Sequence, residues 1–154
     1  MKLNPVFLTL ALCLAGSAIS LADSPQMGTW KLNEGKSKLV KSMGKNHTVV
    51  YESAGRTVKI TVDGVDAKGQ ATHSEWNGKF DGKDYPVTGD PSSDTRSFKM
   101  SSENTLEMTS KKAGKEVGGG TVVVAADGKT RTVTNTMTNA KGEKMTSTLV
   151  YDKQ

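Results

Sequence analysis

From Asp23 onward, hydrophobic and polar residues alternate with a period of two, and no stretch repeats at the apolar spacing of an amphipathic helix. Val58, Ile60 and Val62 share one face of a segment whose other face is Thr57, Lys59 and Thr61. Val133 and Met137 oppose Thr132, Thr134, Thr136 and Thr138. Near the end, Met145, Leu149 and Tyr151, with Ser147 among them, oppose Lys144, Thr146, Thr148 and Val150. Such alternation marks half-buried strands. Turn signals separate them: Ala54-Gly55-Arg56, Asp63-Gly64, Ala67-Lys68-Gly69, Asn77-Gly78, Asp81-Gly82, Gly89-Asp90-Pro91, Ala113-Gly114-Lys115, Asp127-Gly128 and Ala140-Lys141-Gly142. Gly, Asn and Asp tolerate the positive φ of tight hairpin turns. The pattern predicts strands at 28–33, 46–53, 57–63, 70–77, 79–87, 95–100, 105–111, 116–125, 130–139 and 143–152. Residues 34–45 read as a loop with room for one short helical turn.

An antiparallel meander of this many strands exposes two edges unless it closes on itself. The expected fold is therefore all-β, a single antiparallel up-and-down barrel of about 8–10 strands, with a β-sandwich as the alternative. A barrel of that size holds its own side chains or one small ligand. Gly55 to Gln70 echoes Gly128 to Glu143, sharing a Thr-rich strand and an Ala-Lys-Gly turn. Reuse of one hairpin chemistry accounts for this, and a single echo does not make a repeat protein.

The first 22 residues break the alternation. Lys2 is followed by the apolar run Val6 to Leu14, and small residues at Ser20 and Ala22 frame a cleavage site before Asp23. This is the layout of a secretory signal peptide over 1–22, leaving a β-barrel domain over 23–154. The run falls short of the roughly 20 apolar residues that a membrane-spanning helix needs, so no transmembrane segment is expected in the mature chain. Cys13, the only cysteine, lies in the leader, and Leu12 before it does not fit a lipoprotein signal. The mature chain can form neither a disulfide framework nor a thiolate metal site, which favours a bacterial periplasm or exterior over a eukaryotic secreted domain. The chain is 34% hydrophobic and the leader takes a disproportionate share, so the core is thin. The formal net charge of +5 is scattered among acidic residues with no long basic run, which speaks against nucleic acid as a partner.

Gly28-Thr29-Trp30-Lys31-Leu32 resembles the G-x-W start of the calycin barrels, the lipocalins and fatty-acid-binding proteins. Leu149-Val150-Tyr151-Asp152-Lys153 resembles the R-V-Y-E-K ending of the fatty-acid-binding proteins. The resemblance implies a barrel whose floor is closed by Trp30, with a basic residue such as Lys153 stacked over it. The arginine of that ending, which helps hold a ligand carboxylate in the family, is Leu149 here. The helical lid of those proteins has no counterpart in residues 34–45. GTWKLNEGKSKL and DGKDYPVTG also resemble segments of small exported bacterial proteins of unknown function, a likeness that implies location and fold without an activity.

Several groups carry candidate chemistry. Trp76, Phe80, Tyr85 and Tyr151 are expected to line a ligand site, since aromatics bury large areas and keep polar tips for hydrogen bonding; filling the core is their competing role. Met100, Met108, Met137 and Met145 suit an irregular cavity or an ordinary core. His73 and Glu75 share a strand face and His47 lies apart, too few convergent ligands for a metal. Asp81, Asp84, Asp90 and Asp94 cluster in loops without calcium-loop spacing and read as turn residues. Thr130, Thr132, Thr134, Thr136 and Thr138 suit an exposed strand face. Gly118-Gly119-Gly120 reads as a bulge or bend rather than a phosphate cradle.

No nucleophile–base pair or carboxylate pair is legible, so neither catalysis nor a cofactor is expected. The expectation is a lipocalin-like binding protein for a small amphipathic or apolar molecule. The alternative is a structural or interaction protein of the cell envelope without a ligand cavity.

Overall fold

The computed structural model describes residues 20–154. All but the last three residues of the expected leader, Cys13 included, lie outside the described residues. Ten strands run β1 (Gly28–Leu32), β2 (Lys45–Ala54), β3 (Thr57–Val65), β4 (Ala71–Gly78), β5 (Tyr85–Thr88), β6 (Thr95–Ser102), β7 (Thr105–Lys112), β8 (Lys115–Val124), β9 (Thr130–Thr138) and β10 (Lys144–Lys153). Each is antiparallel to its sequence neighbour, and β1 pairs with β10 through Trp30↔Lys153, Lys31↔Asp152 and Leu32↔Tyr151. The sheet is a closed up-and-down barrel rather than a sandwich, and closure leaves no free edge.

The inward rows are those that the alternation assigns. Val58 and Ile60 are buried, while Thr57, Lys59 and Thr61 of the same strand stay partly exposed. On β10, Ser147, Leu149 and Tyr151 are buried between more exposed Thr146, Thr148 and Val150. The 34–45 loop holds two 3-10 turns, Glu34–Lys36 and Lys41–Met43. The glycine triplet of β8 sits beside a bulge, where Ser110 pairs with Gly118 and Lys111 with Glu116.

Three sequence expectations are corrected in detail. The strand expected at 79–87 is only Tyr85–Thr88. Residues 79–84 turn instead, because Gly82 takes φ +79° and the Asp81 carboxylate accepts from the Lys83 N–H at 3.0 Å. Asp63-Gly64 and Asn77-Gly78, expected as turns, lie inside β3 and β4. Gly78 serves close packing there, since a Cβ would run into the rings of Tyr85 and Trp76.

Hairpin loops alternate between the two ends of the barrel, which gives it a floor and a mouth. The N-terminal segment closes the floor: the Trp30 indole N–H donates to the Gln26 carbonyl at 3.0 Å, and the Gln26 amide donates to the Asn104 carbonyl at 3.1 Å. Leu21, inside a 3-10 turn over Leu21–Asp23, packs against the core, so the cleavage expected before Asp23 falls within that turn. The mouth is rimmed by the loops β1–β2, β3–β4, β5–β6 and β9–β10, represented by Met43, Asp66, Pro91 and Asn139.

Candidate functional site

A cavity of about 490 Å³ runs from the mouth toward the floor. Its walls are the inward rows: Val49 and Tyr51 from β2, Ile60 and Val62 from β3, Phe98 from β6, Val122 from β8, and Leu149 and Tyr151 from β10. Met43, Met137 and Met145 line its upper part, with Ser42 and Ser147 hydroxyls each 3.3 Å from a methionine sulfur. Thioethers on unbranched chains adapt to ligands of irregular shape.

Two arginines line the same space. Arg96 of β6 donates from Nη2 to Asp90 at 2.8 Å and to Ser93 at 3.3 Å, and from Nε to Ser110 at 3.0 Å. Burial pushes the Asp90 carboxyl upward, but hydrogen bonds from Ser92 and Ser93 and the Arg96 charge outweigh it and hold the group below the usual carboxylate range. Arg131 of β9 is 2% exposed, and its Nε and Nη1 have no hydrogen-bond partner among the described residues. Its guanidinium carbon lies 4.8 Å from the Trp30 ring centroid, 4.6 Å from that of Tyr51 and 5.1 Å from that of Tyr151. Burial pulls its proton affinity below the ordinary value, partly opposed by the Tyr51 and Tyr151 phenols, yet a guanidinium keeps its charge in a protein. Burial also lifts Tyr151 above the ordinary phenol range, so it stays neutral and donates to the Asn46 carbonyl at 3.2 Å.

The aromatics singled out in the sequence divide between two places. Tyr151 lines the cavity. Trp76, Phe80 and Tyr85 lie outside its lining and pack as a cluster behind Phe98, with Trp76 4.9 Å from Phe98, 6.3 Å from Phe80 and 5.7 Å from Tyr85. The Trp76 indole donates to the Arg96 carbonyl at 2.8 Å, tying β4 to β6 across the short β5. Trp30 is fully buried, and Lys153 Nζ sits 5.1 Å from its ring centroid. Of the methionines, Met108, Met137 and Met145 reach the cavity, whereas Met100 is exposed on the outside.

The other candidates serve turns and the outer face. His73 Nδ1 is 2.6 Å from Asp63 and its Nε2 is 3.8 Å from Glu75, on the exterior of β3 and β4. Asp81 accepts from the Tyr85 hydroxyl, Asp84 pairs with Lys111, and Asp94 accepts from the Ala113 N–H. Thr134 and Thr136 lie opposite Thr148 and Thr146 on the outer face, with the Thr136 and Thr146 hydroxyls 2.8 Å apart. Among the described residues, no group of three or more His, Cys, Asp or Glu side chains could hold a metal ion.

Arg131 is the residue that sequence reading missed. The signal was present, since Arg131 precedes Val133 by two positions and so belongs to the inward row of β9. The fatty-acid-binding-protein ending places its arginine where this chain has Leu149. Here a guanidinium comes from the neighbouring strand instead, directly across the ladder from Tyr151.

No protein-family model matches the chain, and no curated protein sequence matches it. Among solved structures it is similar to a redesigned β-barrel, mFAP1, bound to DFHBI, at 15% identity and a TM-score of 0.46 over 87% of this chain and 100% of that one. It is also similar to EF1p2_mFAP2b bound to DFHBI, at 10% identity and a TM-score of 0.48 over 86% and 97% of the two chains. Neither likeness transfers a ligand to this protein.

Proposed function

We propose that the protein is an exported carrier of small amphipathic molecules, which it holds inside the barrel. The observation that supports this reading best is the cavity itself, whose volume of about 490 Å³ falls within the range of small-molecule sites. Its lining is mostly apolar with a few placed polar groups, the usual composition of such sites. The outer face carries Lys59, His73, Glu75 and rows of threonine, which suits contact with water rather than the apolar band of a membrane barrel. No helix among the described residues is long and apolar enough to cross a membrane. The leader-like segment supports export.

Two measurements test the reading. Native mass spectrometry of protein recovered from its own host should give a chain beginning at Asp23 together with a retained small molecule. The neutral dye N-phenyl-1-naphthylamine should bind recombinant protein saturably at one site, and Val62→Phe, which fills the cavity, should weaken it by roughly 10-fold while the far-ultraviolet spectrum stays unchanged. Linear, non-saturating fluorescence in both proteins sinks the carrier reading.

A further inference from the structure

We propose that Met43, Met137 and Met145 form a binding site at the barrel mouth for a soft monovalent metal ion, Cu(I), held by three thioether sulfurs. The site stands independently of the carrier reading, because no ligand in the hollow is needed to form it. Met137 of β9 and Met145 of β10 are direct cross-strand partners on the inward row, which places their Cα atoms roughly 5 Å apart. Met43 ends the 3-10 turn Lys41–Met43 and reaches the same wall. The Ser147 hydroxyl donates to Met43 Sδ at 3.3 Å, and the Ser42 hydroxyl donates to Met145 Sδ at 3.3 Å. Two neighbouring residues of the turn are thus tied to two same-face residues of β10. The Val40 N–H donates to the Ser147 oxygen at 3.1 Å, which leaves the Ser147 proton for the sulfur.

Core packing does not account for these three side chains. Among the described residues, Met27 and Met108 pack against the hydrophobic core, whereas Met43, Met137 and Met145 do not. Ordering a methionine carries an entropic cost, yet two of the three sulfurs are held in place by hydroxyls. A thioether sulfur is a weak hydrogen-bond acceptor with a second lone pair, so one hydroxyl orients it without using up its capacity to bind a metal.

The donor set selects the ion. Thioethers are soft and uncharged, and soft sulfur favours Cu(I). Zn(II) calls for imidazole, thiolate or carboxylate, and Mg(II) and Ca(II) call for oxygen. Among the described residues, no His or Cys lines the cavity. The oxygens near the mouth are already engaged. Asp66 accepts from the backbone N–H groups of Lys68 and Gln70 at 2.8 and 2.9 Å, and Asp90 meets Arg96 at 2.8 Å. The Asn139 side-chain oxygen accepts from the N–H groups of Lys141 and Glu143 at 2.9 Å each. Sulfur is what the mouth has to give.

The test uses the whole chain carrying Cys13→Ser, so that its only thiol cannot bind the metal whether or not the leader is removed. Ag(I), a soft monovalent ion that resists oxidation, is titrated in chloride-free buffer into protein with isotope-labelled methionine methyl groups. The resonances of Met43, Met137 and Met145 should shift and saturate at one equivalent, while those of Met27 and Met100 stay in place and Zn(II) shifts none. Cu(I), competed under argon against bicinchoninate, should bind too. Replacing Met137→Leu and Met145→Leu together, at nearly constant volume, should weaken it by at least roughly 10-fold, while Met100→Leu leaves it unchanged. Thioethers have no proton to lose, so Ag(I) affinity should stay within about 2-fold between pH 7 and pH 5. A fall of about 10-fold or more over that span would put the ion on a histidine or carboxylate and overturn the site. So would the absence of saturable binding, shifts confined to other methionines, or full affinity in the double variant. Where that variant does not fold, the methyl shifts of the unsubstituted methionines decide.

Discussion

Arg96 and Arg131 line one cavity from β6 and β9, and their surroundings differ in kind. Arg96 is met by three oxygens, from Asp90 and Ser93 of the β5–β6 loop and Ser110 of β7. Arg131 is met by the rings of Trp30, Tyr51 and Tyr151, and its Nε and Nη1 have no hydrogen-bond partner among the described residues. The first arrangement is internally complete, so its charge acts as a brace for the loop at the mouth. The second relies on aromatic rings in place of a counter-charge. An identical side chain is thus ion-paired in one wall and ringed by aromatics in the other, and the difference lies in which neighbours the barrel brings to each.

The largest effect should come from breaking the brace. Asp90→Ala leaves Arg96 half-buried without its carboxylate and should cost about 3 kcal/mol in denaturant unfolding, the range for removing one partner of a buried pair. Arg131→Met should change stability by no more than about 1 kcal/mol, because the desolvation cost it relieves offsets the cation–π contacts it removes. Equal destabilisation by the two substitutions would erase the distinction between the walls.

A smaller effect follows from acid. The Asp90 carboxyl is held below its usual range in the folded protein, so its contribution is present above the unfolded value of about 3.9 and is lost as pH falls through the folded value. Wild-type protein should lose stability between pH 5 and pH 2 more steeply than Asp90→Ala, as read from urea midpoints across that span. Parallel curves would show that the brace does not depend on charge.

The smallest effect concerns an exposed pair, which sharpens the contrast with the buried one. The hydrogen bond to Asp63 raises His73 above its ordinary value. Its contribution is therefore present below about 6.5 and fades as pH rises through the raised value. A nuclear magnetic resonance titration should place His73 above the ordinary histidine value, and Asp63→Asn should lower it with little change in melting temperature. A large melting shift in that variant would mean that the outer face matters more than its exposure allows.

Most of the architecture was readable residue by residue, because strand alternation is local. Val58-x-Ile60-x-Val62 points inward whichever strand lies beside it, and nine of the ten strands lie close to their expected positions. The shortened β5 was not readable in the same way. Asp81-Gly82 signals the turn that displaces it, but the close approach of two rings to Gly78 is set by packing between strands. The candidate site was less legible still. Trp76, Phe80 and Tyr85 are as aromatic as Tyr151, and only packing across the barrel separates the three, clustered with Phe98, from Tyr151, which lines the hollow.

The amino-acid order by itself determined the strands, their inward rows and the scarcity of apolar residues to fill them, since each is a property of neighbours along the chain. Tertiary structure alone decided that β1 meets β10, that a hollow remains, and that Asp90 reaches Arg96 while no carboxylate among the described residues pairs with Arg131. The reason is physical: whether a charge is paired depends on distances across the barrel, and sequence separation does not encode them.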